Sequence, residues 1–287
     1  METGERVRGL LELTRPVNAV AAGLLTAIGA YVAADPAALG EARLAIVAAV
    51  GATVFATGAG NAINDYFDRE IDRINNPERP IPRGAVSPRG TLWFSVVLFV
   101  AAVALVLALL PVLAIAIAIV NLLALVSYTE LFKGLPGLGN ALVAYLGGST
   151  FLFGAAAVGE LGLPVGVLFL LAALSTLARE IIKDVEDVAG DREEGLHTLP
   201  IAIGERRALA IAGLFLAVAA VASPLPYLVD RAAFGVAYLV VVAPAVLIML
   251  WSGAESVRDP SASQSHLKYG MFLAAAAFIA GRTVAIL

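Results

Sequence analysis

Long apolar stretches follow one another along almost the whole chain, and short polar segments separate them. Most are close to the roughly 20 residues that an α-helix needs to cross a bilayer. We place nine such helices at residues 16–34, 43–64, 91–110, 112–129, 138–158, 164–183, 207–228, 233–252 and 266–286. Pro111 separates the third from the fourth, which predicts a tight hairpin there. The pattern predicts an all-α integral membrane protein with a single transmembrane domain over residues 1–287.

The composition agrees with a membrane protein. Hydrophobic residues make up 60% of the chain and charged residues 15%, whereas soluble domains have about 45–50% and about 25%. Cysteine is absent, which excludes disulfides and thiolate metal sites. The net charge of −4 gives no reason to expect a nucleic-acid partner. We expect no cleavable signal peptide, because METGERVRGLLELTRP lacks an apolar core.

Basic residues predict the orientation of the chain in the cell membrane. If the N-terminus is inside, all but three of the 19 Lys and Arg residues fall on or near the inner side. The exceptions are Arg43, Arg231 and Arg282. The positive-inside rule therefore predicts a cytoplasmic N-terminus. The two longest connections, about 65–90 and 184–206, are then cytoplasmic cap loops.

Two sets of three aspartates lie near the ends of the second and sixth predicted helices. They are Asp65, Asp68 and Asp72 in the first motif, and Asp184, Asp187 and Asp191 in the second. Gaps of three and then four residues place each set on one helix face. Carboxylates on one stripe repel each other, so we expect a cation among them. With no His or Cys nearby, the oxygen ligands favour Mg²⁺, which bridges carboxylates to substrate phosphates.

Basic side chains on the same side can bind phosphate oxygens. The candidates are Arg79, Arg83, Lys133, Lys183 and Arg192. Carboxylates, a divalent metal and basic groups around one polyphosphate stabilise a departing diphosphate. An apolar cavity beneath them would hold the tail of the same substrate. The sequence therefore predicts a prenyl diphosphate substrate.

Two segments resemble the signature motifs of the UbiA superfamily of intramembrane prenyltransferases: AGNAINDYFDREIDRINNPERPIPRG and REIIKDVEDVAGDREEGLHTLP. RPVNAVAAG, YTELFKGLPGLGN and GGSTFLFGAAAVG fit the same family, so the resemblance covers most of the chain. It implies a nine-helix bundle around a cavity open sideways to lipid. It also implies two Mg²⁺ ions at the prenyl diphosphate. The implied metal ligands are Asn64, Asp68, Asp72, Asp187 and Asp191, with Asp65 and Asp184 beside them.

Within the family, RPVNAVAAG, STFLFG and REIIKDVEDVAGD are most similar to an archaeal branch. Its enzymes transfer a geranylgeranyl group to geranylgeranylglyceryl phosphate in ether-lipid synthesis. The implied reaction is ionisation to an allylic carbocation, which the acceptor hydroxyl attacks while the cap loops exclude water. Such an acceptor needs cations for its own phosphate, and Arg15, Lys133 and Arg179 are the candidates. We expect no protein partner.

Other interpretations remain open at this stage. The acceptor could be an aromatic ring such as 4-hydroxybenzoate, a naphthoate or a porphyrin-derived alcohol. A divalent-cation or phosphate transporter is a third hypothesis, although the acidic residues lie at helix ends and not at mid-membrane. Asn61 either binds substrate or joins helices, and Asn140 and His197 have structural interpretations. Tyr128 and Lys133 are five residues apart, whereas many relatives have four.

Overall fold

The computed structural model describes residues 3–132 and 134–286, and every regular element in these ranges is a helix. The elements are α1 (Thr3–Leu13), α2 (Pro16–Ala33), α3 (Pro36–Glu41), α4 (Arg43–Phe67), α5 (Arg69–Asn75), α6 (Pro88–Leu109), α7 (Val112–Ser127), a π-helix (Tyr128–Phe132), α8 (Leu138–Ala157), α9 (Leu163–Glu186), α10 (Val188–Glu193), α11 (Leu199–Ile203), α12 (Glu205–Ala222), α13 (Leu225–Val229), α14 (Val236–Glu255) and α15 (Pro260–Ile286). This confirms the predicted all-α architecture.

Eight helical segments in the described ranges are long and apolar enough to cross a membrane. They are α2, α4, α6, α8, α9, α12 together with α13, α14 and α15. The fourth predicted span corresponds to α7, which has 16 residues and is shorter than the others. The chain is therefore a multi-pass membrane protein, and the ninth crossing remains a prediction.

The two connections predicted as cap loops are partly helical. Helix α4 continues to Phe67 and α9 to Glu186, beyond the predicted ends at 64 and 183. The short helices α5, α10 and α11 then fold within the connections themselves. The difference has a physical reason: hydropathy marks where the apolar environment ends, whereas backbone hydrogen bonds continue through polar residues.

Helix α8 is the most buried of the eight spans and lies at the centre of the bundle. Glycines let it approach α2 closely. A Cβ atom added at Gly154 would overlap the carbonyl oxygen of Thr26, and one at Gly29 would overlap the backbone of Phe151. Small residues permit such close helix contact in membrane interfaces.

The far end of the bundle, away from the aspartates, is closed by aromatic packing. Phe151 of α8 and Phe278 of α15 meet edge to face, with ring centroids 6.0 Å apart. Tyr238 of α14 stacks on Phe278 at 5.5 Å and donates its hydroxyl proton to the carbonyl oxygen of Ser223 at 2.6 Å. These contacts join α8, α14 and α15, and leave the opposite end to the polar site.

Candidate active site

The first aspartate motif spans a bend between two helices. Asp65 lies in α4, Asp68 ends α4 and begins α5, and Asp72 lies in the first turn of α5. Asp68 has φ −81° and ψ 2°, whereas a helical residue has ψ near −42°. The single helix that the spacing predicted is therefore interrupted at Asp68, where α4 ends and α5 begins.

Two arginines neutralise the buried carboxylates of this motif. Asp65 and Asp72 are only 5% and 2% exposed, and buried carboxylates require charged or hydrogen-bonded partners. The Nη1 atom of Arg79 lies 2.6 Å from Asp72 Oδ2 and 3.4 Å from Asp65 Oδ1. The Nη2 atom of Arg15 lies 2.7 Å from Asp65 Oδ1. Arg79 therefore bridges the first and third aspartates, and Arg15 adds a second positive charge.

Arg15 has an unusual backbone conformation. With φ 47° it is the one non-glycine residue of positive φ in the described ranges, and it precedes Pro16 at the start of α2. Non-glycine residues in this region are uncommon and concentrate at functional sites. The sequence suggested Arg15 as a cation for the acceptor phosphate. The structure places its guanidinium on Asp65, fifty residues away in the chain.

The second motif repeats the backbone geometry of the first. Asp184 lies in the last turn of α9, Asp187 joins α9 to α10 with φ −89° and ψ 0°, and Asp191 lies in α10. Its described partners are weaker donors. Asn140 Nδ2 donates to Asp184 Oδ2 at 2.8 Å, and Thr198 Oγ1 donates to Asp191 Oδ2 at 3.1 Å.

The middle aspartate of this motif faces solvent. The side chain of Asp187 is 50% exposed, and the Nζ atom of Lys183 lies 3.8 Å from its Oδ2. Partial burial raises the pKa of the Asp187 carboxyl, although Lys183 opposes the shift. A half-exposed carboxylate beside an exposed lysine can reach a ligand from the solvent side.

The helix ends that carry the two motifs bound a shared space, because Asn64 of α4 and Glu180 of α9 line the same cavity. Tyr128 lies near both motifs. Burial, assisted by Glu180 and by Asp184, Asp68 and Asp191 of the motifs, raises the pKa of the Tyr128 hydroxyl to about 12.

Tyr128 begins the π-helix that follows α7. A π-helix forms hydrogen bonds between residues five apart and accommodates an extra residue within a turn. Lys133, which the sequence suggested as a phosphate ligand, lies outside the described residues.

The donor set fits Mg²⁺ bound together with a phosphate, and not an all-protein cage. In residues 3–132 and 134–286, no three His, Cys, Asp or Glu side chains form a cluster that could hold a metal ion. Mg²⁺ is usually held through one or two carboxylates together with water and substrate phosphates. Each aspartate motif offers carboxylate oxygens on one side of the site, so a Mg²⁺ ion there could bind one or two carboxylates together with phosphate oxygens.

A large cavity extends from this site into the bundle. Its volume is about 820 Å³, and its lining is mostly apolar and comes from most of the long helices. Asn61, Asn64, Arg179, Glu180 and Lys268 line it towards the motif end. Its size and apolar character suit a long hydrocarbon chain.

A smaller cleft reaches the first motif from outside the bundle. It has a volume of about 410 Å³, and its lining includes Arg15, Asp65, Glu78 and Arg79. Both arginines of the first motif are therefore accessible to an anionic ligand.

Other predicted site residues have different partners. Arg83 forms ion pairs with Glu12 at 2.6 Å and Glu5 at 3.2 Å, which tie the loop after α5 to α1. Asn61 lines the cavity and donates from Nδ2 to the carbonyl oxygen of Thr14 at 2.9 Å, which joins α4 to the segment between α1 and α2.

Arg179 contacts α15. Its Nη1 lies 2.8 Å from Glu180 Oε1, and its Nη2 donates to Gln264 Oε1 at 2.8 Å. Lys268 lies one turn after Gln264 in the same helix and was not among the site residues predicted from the sequence. A signal was present, because Lys268 is a basic residue inside a predicted span, where charges are usually functional.

Comparison with known proteins agrees with these features. Residues 23–276 match the model of the UbiA prenyltransferase family. The chain is 62% identical to the digeranylgeranylglyceryl phosphate synthase of Halobacterium salinarum (strain ATCC 29341 / DSM 671 / R1), over 99% of both proteins.

Solved structures show the same fold. One from work on digeranylgeranylglyceryl phosphate synthase in membranes is 35% identical, with a TM-score of 0.77 over 98% of this chain and 99% of that one. A UbiA homolog from Archaeoglobus fulgidus bound to GPP and Mg²⁺ is 20% identical, with a TM-score of 0.71 over 97% of this chain and 99% of that one. The two aspartate motifs above an apolar cavity thus belong to a member of the UbiA prenyltransferase family.

Proposed function

We propose that this protein transfers a geranylgeranyl group from its diphosphate to geranylgeranylglyceryl phosphate in archaeal ether-lipid synthesis. The observation that supports this most strongly is that the ends of α4 and α9, which carry the two acidic motifs, line one apolar cavity of about 820 Å³. The similarity to the Halobacterium salinarum synthase over 99% of both chains supports the choice of acceptor.

The diphosphate binds between the two motifs in this proposal. Asn64, Asp68, Asp72, Asp187 and Asp191 hold two Mg²⁺ ions, which supply positive charge to the departing diphosphate. The support is the all-oxygen donor set and the Archaeoglobus fulgidus homolog, whose structure contains GPP and Mg²⁺. Asp65 and Asp184 stand one turn earlier in each motif and position its other members.

In this proposal, the arginines of the first motif change partners from the aspartates to the diphosphate when the substrate binds. Without a ligand, Arg79 neutralises Asp65 and Asp72, so both carboxylates remain buried at low cost. When the diphosphate arrives, Arg79 and Arg15 can donate to its oxygens through the accessible cleft. Lys183 does the same at the second motif, where its side chain is half exposed. Arg83 and Lys133 are further proposed phosphate ligands. Arg83 forms an ion pair with Glu12 in this structure and would have to leave it to bind a phosphate.

The cavity holds the geranylgeranyl chain and keeps water from the allylic carbocation. The hydroxyl of Tyr128 is protonated at neutral pH, as a tyrosine ordinarily is, and can donate a hydrogen bond at the site. The acceptor hydroxyl attacks C1 of the prenyl group. From the distribution of Lys and Arg we place this end of the bundle, with the N-terminus, on the cytoplasmic side.

An acceptor panel tests the proposal. Purified protein in detergent receives radiolabelled geranylgeranyl diphosphate, Mg²⁺ and either geranylgeranylglyceryl phosphate or 4-hydroxybenzoate. We expect a labelled lipid with the glyceryl phosphate and negligible product with the aromatic acid. Prenylation of the aromatic acid alone would assign the enzyme to the aromatic branch. Label that stays in the diphosphate with every acceptor would contradict a prenyltransferase.

A further inference from the structure

The charges that line the large cavity do not balance. Among the described residues in its lining, three carry a charge: Arg179, Glu180 and Lys268. Arg179 and Glu180 form an ion pair at 2.8 Å. Lys268 therefore leaves the lining with one uncompensated positive charge. Lys268 is partly buried at the edge of this apolar cavity, and an anionic ligand that binds there would balance its charge.

The surroundings of Lys268 contain no such anion. Its Nζ lies 3.4 Å from Asn18 Oδ1 and 5.9 Å from the centre of the Phe272 ring. Within the part of the chain that the structure describes, no carboxylate lies within salt-bridge distance of Lys268. An amide oxygen and an aromatic face are weak partners that a ligand with full negative charge can displace.

Lys268 and Arg179 both line the cavity near its motif end. Lys268 is eight residues into α15, roughly 12 Å from the start of that helix, and Arg179 is seven residues before the end of α9, roughly 10 Å. Arg179 contacts Gln264, which stands one turn from Lys268 on the same face of α15. The two cations therefore face one space with Gln264 beside it.

The cavity reaches the outer surface at this place. Asn18 at the start of α2 and Phe272 of α15 both line the cavity and are exposed. Val17 and Tyr269 beside them are 69% and 64% exposed, as expected for side chains that contact lipid. A lipid can thus place its polar head at Lys268 while its tail lies along these apolar side chains.

We infer that Lys268, with Arg179 and Asn18, binds the phosphate of the acceptor lipid at the opening between α2 and α15. This inference rests on the proposed function for the identity of the lipid. The donor diphosphate has its own cations at the aspartate motifs, namely Arg15, Arg79 and Lys183. The site separates the two phosphate-bearing substrates, so that each lipid is recognised by different cations. Lys268 is accordingly a specificity residue for a lipid monophosphate.

Equilibrium binding without donor tests the inference. Geranylgeranylglyceryl phosphate and the unphosphorylated geranylgeranylglycerol are titrated into wild-type protein and into Lys268→Gln and Lys268→Arg variants, by calorimetry in detergent. We expect Lys268→Gln to weaken binding of the phosphate lipid at least about tenfold. Its affinity for the unphosphorylated lipid should stay within about twofold, and Lys268→Arg should keep most of the phosphate affinity.

Arg258→Gln is the matched control, because Arg258 is exposed just before α15 and does not line the cavity. It should leave both affinities unchanged. Equal loss of both lipids in Lys268→Gln, or no loss, would overturn the inference. The failure of the proposed function looks different: wild-type protein would bind the phosphate lipid in a Lys268-dependent way and yet transfer no prenyl group to it.

Discussion

The two aspartate motifs share their spacing and their backbone conformation, but different side chains contact their outer carboxylates among the described residues. Asp68 and Asp187 have almost the same dihedral angles, −81° and 2° against −89° and 0°. In the first motif, two arginines contact the outer carboxylates, at 2.6 and 2.7 Å for the shortest pairs. In the second, the outer carboxylates accept hydrogen bonds from a neutral amide and a hydroxyl.

This difference shows that the local sequence determines the backbone conformation of a motif, whereas residues distant in the sequence provide the partners of its carboxylates. Arg15 reaches the first motif from the start of α2, and Arg79 reaches it from the loop after α5. Asn140 reaches the second from the start of α8. We therefore expect the first motif to release its arginines to the diphosphate when that ligand binds.

The largest effect should come from removing the central aspartate of either motif. Asp68→Ala and Asp187→Ala should each lower kcat about a hundredfold or more, since each removes a ligand for charge that develops in the transition state. Single-turnover assays with radiolabelled geranylgeranyl diphosphate measure the change. Thermal unfolding should be little affected, because both residues lie at helix junctions and not in the core.

Neighbouring carboxylates provide the controls for these variants. Glu70 and Glu186 are exposed residues close to Asp68 and Asp187, and they lie outside the motif spacing. Glu70→Ala and Glu186→Ala should keep turnover within about threefold of wild type. Near-wild-type turnover in Asp68→Ala or Asp187→Ala would remove that motif from the diphosphate site.

A smaller effect should separate two arginines of the same loop. Arg79 contacts the first motif, whereas Arg83 contacts Glu12 and Glu5 of α1. Arg79→Ala should raise KM for the prenyl diphosphate about tenfold, from the loss of a charged hydrogen bond. Arg83→Ala should change it less than about twofold. The opposite order in steady-state kinetics would return Arg83 to the role that the sequence first suggested for it.

The smallest effect concerns the ion pair that fastens this loop. The hydrogen bond from Arg83 lowers the pKa of the Glu12 carboxyl below its ordinary value of 4.5. The pair therefore stabilises the folded protein above the unfolded pKa, and this contribution is lost as the pH falls through the lower, folded pKa. Glu12→Gln should reduce the melting temperature by about 2 °C or less at neutral pH, since exposed pairs contribute little. The difference should shrink to nothing as the pH falls below the folded pKa of Glu12; one that persists in acid would contradict the ionic origin.

The fold was largely predictable because hydropathy is a local property. Apolar runs located every long helix, and the resemblance of the flanking motifs located the family. Hydropathy ended the second and sixth spans at 64 and 183, because a hydropathy scale does not distinguish polar residues at a helix end from loop residues. The aspartate spacing indicated that both helices continue, and they extend to Phe67 and Glu186.

The site was predictable only where its residues follow one another in the chain. The spacing of Asp65 and Asp72 was readable, but the bridge that Arg79 makes between them depends on the path of the loop. The positive φ of Arg15 has no signature in its residue type. Lys268 meets Asn18 across 250 residues, and such a contact appears only after the helices pack.

In the proposed mechanism, both motifs form one Mg²⁺-dependent site for the diphosphate. The most direct measurement is the equilibrium binding of a non-reactive thiolo analogue of geranylgeranyl diphosphate to wild-type protein, Asp68→Ala and Asp187→Ala, in Mg²⁺ and in EDTA. We expect tight binding of the analogue only to wild-type protein in Mg²⁺. Prenyl transfer should be lost in EDTA and restored by added Mg²⁺. Equal binding in EDTA, or undiminished binding after the loss of either aspartate, would contradict this mechanism.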